Sequence, residues 1–78
     1  MKADFTPNQI SVLVMLADVA RNEGGEAMVK RRYYGAAISL CNRGLATGRD
    51  NFPYRPTYQI TPAGMAAVER MEADGCNN

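Results

Sequence analysis

Residues 57 to 64, "TYQITPAG", constrain the fold most, because an alternating strand pattern runs with no linker into a helix start. Tyr58 and Ile60 alternate with polar Thr57, Gln59 and Thr61, the pattern of a strand buried on one face. Thr61 and Pro62 then read as a helix cap and first helical residue. A second β-like run, "LATGR" at 45 to 49, comes before it. The segment between them, "DNFPYRP", holds Pro53 and Pro56, which stiffen the connection and withhold backbone donors from any neighbouring strand. The two runs predict a β-hairpin, a wing, closed by an aromatic, arginine-bearing loop that is too long for a two-residue turn.

Helices flank the hairpin. In "TPNQISVLVMLADVARNEGG", Thr6 caps, Pro7 suits the first turn and Gln9 completes a T-x-x-Q capping box. Ile10, Leu13, Val14 and Ala17 recur at helical spacing, while Val12, Met15 and Leu16 widen the stripe almost all round. A helix this apolar is either central to the fold or shared with a second chain. Gly24 and Gly25 stop it. In residues 26 to 44, Tyr34, Ala37, Ile38, Cys41 and the following Leu45 mark one helical face, and Gly44 ends the helix. Gly35 weakens the pattern. Residues 26 to 30 read as a short strand or a loose turn. The last helix, "TPAGMAAVERMEAD", presents a narrow stripe of Met65, Val68 and Met71. Met15, Met28, Met65 and Met71 read as core filler. The expected fold is α+β: one domain over residues 1 to 74, three main helices and one hairpin, followed by a flexible tail at 75 to 78.

A chain of 78 residues buries only about 60% of its unfolded surface. Its 46% hydrophobic and 22% charged residues place it among ordinary globular domains. The longest strongly apolar run, "ISVLVMLA", falls well short of the roughly 20 residues that cross a bilayer. Only Lys2 precedes it as a basic residue, so neither a membrane span nor a signal peptide is expected and the reading is cytoplasmic. Histidine is absent, and Cys41 and Cys76 are the two cysteines. Disulfide frameworks, zinc sites and Ser–His or Cys–His pairs all need more than this. The composition therefore predicts no catalytic residues, no metal and no cofactor: not an enzyme. Cys41 reads as a core thiol, and Cys76, in the tail, as open to adventitious pairing.

Charge is distributed unevenly. Residues 30 to 55 hold Lys30, Arg31, Arg32, Arg43, Arg49 and Arg55 against Asp50 alone, a net of +5. The segments on either side are each net −2. A basic middle between acidic ends predicts one positive face.

At "NRGLATGR" followed by "YQITPAG" the sequence resembles the winged-helix domains of MarR-type regulators and their small phage relatives. The positions that carry the likeness are Arg43, Gly44 and Leu45, then Ile60, Thr61, Pro62 and Gly64. In the opening stretch, Thr6, Pro7, Gln9, Leu13 and Leu16 match the family's first helix. The resemblance covers about two-thirds of the chain. It implies a winged-helix-like fold, a DNA-binding role in transcription regulation, a phage or mobile-element source, and a homodimer through the first and last helices. Two departures stand out. The middle helix of the helix-turn-helix is reduced or missing, and the family's aspartate-x-arginine wing pair is absent, since Asp50 and Arg55 lie too far apart.

Two binding roles follow for the same scaffold. In the first, Lys30, Arg31 and Arg32 neutralise phosphates at the start of a recognition helix, Tyr33 reaches sugar or phosphate oxygens, Arg43 assists, and Arg49 and Arg55 contact the adjacent backbone or minor groove from the wing. Cations at a helix N-terminus are mildly unfavourable, so stability alone is a poor reason for three of them. In the second, the protein binds a host protein, as a phage inhibitor of a host complex would. It would do so through Phe52 and Tyr54 on the wing or through an exposed strip of the first helix around Val12, Met15 and Val19. Phe52 and Tyr54 could instead fold back over the small core.

Overall fold

Helix α1, Pro7–Asn22, runs through the middle of the protein and touches every other layer. The computed structural model describes residues 5–49, 53 and 55–75. The capping box forms in full. The Gln9 N–H donates to Thr6 Oγ1 at 3.1 Å, and the Thr6 N–H donates to Gln9 Oε1 at 3.1 Å. These bonds satisfy two of the donors that a helix start leaves unpaired. At the other end, the Glu23 and Gly24 N–H groups both donate to the Val19 carbonyl.

The chain continues as strand β1, Ala27–Met28, a 3-10 turn at Arg31–Tyr33 and helix α2, Tyr34–Asn42. Strands β2, Ala46–Arg49, and β3, Thr57–Ile60, form the expected hairpin, and helix α3, Pro62–Gly75, closes the fold. β1 adds a third strand, giving an antiparallel sheet of order β1-β3-β2. The result is an α+β domain with three helices and a small sheet, compatible with a winged-helix-like fold. Between β1 and α2 the chain makes the single 3-10 turn.

Val12, Leu13, Leu16, Ala17, Val29, Ala37, Leu40, Ala46, Tyr58 and Val68 form the core. Most of the α1 stripe is used within one chain, since α1 packs against α2, β3 and α3, whereas Val14 is 38% exposed. Val12 is only 2% exposed, so it is no part of the exposed α1 strip expected around it; it lines a groove with Met28 and Val29. Met15 and Val19 are half-buried. On α2 the inward stripe is centred between Ala37 and Leu40. Ile38, at 100° from Ala37 around the helix, falls outside it and is 52% exposed. Met28 is likewise no core filler, being 60% exposed on an edge strand. Met15, Met65 and Met71 do pack against the core.

The residues that carry the family likeness act together as a latch. α2 ends in a Schellman turn. Gly44, with φ of 78°, donates to the Cys41 carbonyl at 3.0 Å, and Leu45 donates to the Leu40 carbonyl at 2.9 Å. Positive φ of this kind favours glycine. Thr61 then ties the two ends of the hairpin together. Its hydroxyl donates to the Gly44 carbonyl at 2.8 Å and accepts the Gly64 N–H at 3.1 Å, capping α3. Its N–H donates to the Leu45 carbonyl at 3.1 Å. Gly64 lies so close above that carbonyl that any Cβ there would collide with it.

α1 and α3 are also joined on the surface by a two-pronged ion pair, Arg21 Nη1 to Glu72 Oε2 at 3.0 Å and Arg21 Nη2 to Glu72 Oε1 at 3.1 Å. The hydrogen bond from Arg21 is the main cause holding the Glu72 carboxyl below its usual range. A depressed carboxylate contributes stability above its unfolded pKa and loses it as pH falls through the folded value. Acid should therefore loosen the α1–α3 seam slightly, and Glu72→Gln should remove that part of the pH dependence. Melting curves of both proteins across the acid range check this. The difference should shrink in high salt because the pair is exposed.

Candidate nucleic-acid interface

The register of the sheet decides where the cations go. β3 pairs Thr57 with Met28 on one side and with Arg49 on the other, so Met28, Thr57 and Arg49 form one cross-strand row. β1 and β2 both run towards that row. The segment leading to Lys30, Arg31 and Arg32 and the wing segment ending at Arg55 therefore leave the sheet at the same end. Lys30, Arg31, Arg32, Arg49 and Arg55 are all exposed. Tyr33 is half-buried, and the Arg32 guanidinium lies 5.2 Å from its ring centroid.

Arg43 is not part of this cluster. The opposite end of the sheet is the pair Ala46–Ile60, about 10 Å further along at the usual strand rise. Arg43 lies just beyond it, in the turn after α2, with its guanidinium 4.2 Å above the Phe5 ring. That contact ties the α2 C-terminus to the residue preceding the α1 cap. Phe52, Tyr54 and Asp50 in the wing loop lie outside the described residues, as does Cys76.

A carboxylate lies within the cationic end. Thr57 Oγ1 donates to Glu26 Oε1 at 2.7 Å, and Arg49 Nε lies 3.4 Å from Glu26 Oε2. Glu26 thus orients Arg49 while offsetting one of the positive charges. Sequence reasoning missed it, because Glu26 meets Thr57 only through the β1–β3 pairing and nothing local marks a contact thirty-one positions apart.

The face that α2 turns to solvent carries Gly35, Ile38 and Asn42. Ser39 is engaged, accepting from Gln9 Nε2 at 2.9 Å. Reading base edges in the major groove relies on bidentate Arg, Lys, Asn or Gln side chains. The outward face of α2 offers one amide and no guanidinium. What this end of the molecule can do chemically is neutralise phosphates.

Cys41 is half-buried and burial pushes its thiol pKa up, which lowers its thiolate content. Tyr58, on the neighbouring strand, is raised by burial first and then by Cys41 and Tyr34. Among the described residues no helix is long and apolar enough to cross a membrane. Comparison with protein-family models, curated proteins and solved structures finds no match.

Proposed function

We propose that this is a small, cytoplasmic, winged-helix-like nucleic-acid-binding protein of regulator type, which grips duplex phosphates with the wing end of its sheet. Lys30, Arg31 and Arg32 supply one group of contacts, and Arg49 and Arg55 the other. The observation that carries the reading is the Met28–Thr57–Arg49 row, from which both basic segments depart. Each neutralised phosphate releases counterions, so the affinity is set by charge and by salt. With little on α2 to read base edges, the protein should hold many duplex sequences about equally.

A duplex-binding titration at two salt concentrations tests this. With about five phosphate contacts, log affinity should fall against log salt with a slope on the order of −4. Replacing Lys30, Arg31 and Arg32 together by glutamine should flatten that slope by roughly 2 to 3 and weaken binding to every sequence alike. Arg43→Gln, at the other end of the sheet, should leave the slope unchanged. Absence of binding at low salt, or binding indifferent to salt, rejects the proposal.

A further inference from the structure

An apolar groove of about 360 Å³ runs between α1 and the segment that leads from β1 into the 3-10 turn. Val12 and Val29, each 2% exposed, form its floor. Half-buried Met15 and exposed Met28 flank it, and Tyr33 and Lys30 stand at one end. Its volume is at the low end of ligand sites, about 300–1,000 Å³. Phosphate oxygens give the methionines nothing to pack against, since apolar side chains gain by leaving water and not by meeting anions.

We propose that this groove takes an apolar peptide segment of a partner protein, flanked by carboxylates. Unbranched methionines adapt to varied apolar side chains and suit a surface that must accept a peptide. In a domain with few large side chains to fill its core, leaving Met28 60% exposed beside Met15 leaves apolar area for a partner to cover. Charge complementarity sets the flanks. Lys30 lines the groove, exposed Arg31 and Arg32 follow it, and no carboxylate is among the lining residues. Glu26, the nearest acid along the chain, is engaged across the sheet by Thr57 and Arg49. An acidic-flanked peptide therefore meets cations at the rim and apolar side chains on the floor. Because Lys30 serves phosphates as well, peptide and duplex should compete.

The test is selection of a random peptide-display library on the intact protein, followed by affinity measurements with a synthetic peptide of the enriched sequence. The expected consensus has at least two apolar residues bracketed by Asp or Glu. Met28→Asp and Lys30→Glu should each weaken that peptide at least tenfold, while thermal melting of Met28→Asp stays near that of the parent. No enrichment, a basic or uncharged consensus, or a peptide whose affinity ignores both substitutions overturns the proposal. A neutral Met28→Ser protein separates this idea from the proposed function, since it should weaken the peptide while leaving the charge of the sheet end, and so the duplex affinity and salt slope, unchanged. If Met28→Ser abolishes duplex binding and no peptide is enriched, the groove belongs to nucleic acid and the peptide proposal falls.

Discussion

Gly64→Ala is expected to destabilise the protein by about 3 kcal/mol, through overpacking together with the loss of a helix cap. The added methyl would meet the Leu45 carbonyl oxygen and would stand 2.7 Å from Ile60 Cγ1. The isoleucine can turn away. The carbonyl cannot, because it is fixed by the Schellman turn and by the Thr61 N–H. The first turn of α3 would have to lift, breaking the Thr61 hydroxyl bonds to Gly44 and Gly64. A domain of this size has roughly 4–12 kcal/mol of stability in all. The melting temperature followed by circular dichroism should fall on the order of 15 °C. Gly35→Ala is the control: its position on α2 has nothing within 4 Å of an added Cβ, and alanine there should stabilise by about 0.5–1 kcal/mol.

Leu13→Ala should cost about 2–5 kcal/mol, from lost burial and the cavity left behind. Leu13 is fully buried in the central helix, surrounded by a core that draws on α1, α2, the sheet and α3. The site has little room to collapse, because the helices around it are held by caps and the latch. Denaturant unfolding gives the number directly. Ile38→Ser, at a position 52% exposed, should stay within about 0.5 kcal/mol of the parent. An equal loss at both positions would mean that the α2 stripe is centred elsewhere.

Local signals were legible where one chemical group decides the backbone. The Thr6–Gln9 capping box, the Thr61 cap, the Gly44 stop and the Tyr58–Ile60 alternation each depend on neighbours within four residues, and each is where the pattern placed it. The α2 stripe was harder to place. Nine residues make too few turns to centre an apolar arc, and Ile38 is apolar yet points outward. Residues 26 to 30 gave only a choice between strand and turn, which pairing with Thr57 and Tyr58 resolves in favour of a strand at 27 and 28. For the candidate site, the excess of basic residues was plain in the sequence but its grouping was not. Arg43 and Arg49 are six positions apart and belong to opposite ends of the sheet, while Lys30 and Arg55, far apart in the chain, share one end. That division depends on register, which no local pattern encodes. Glu26 was invisible for the same reason.

The wing loop is tethered at Arg49 and Thr57, directly opposite one another on the last paired row of the hairpin. Insertions or deletions between those two anchors leave the register of β2 against β3 unchanged, and lengthening a loop costs little, about 0.6 kcal/mol for each doubling. Evolution can therefore tune how far the tip extends along whatever it touches, much as a finger can be lengthened without rebuilding the hand.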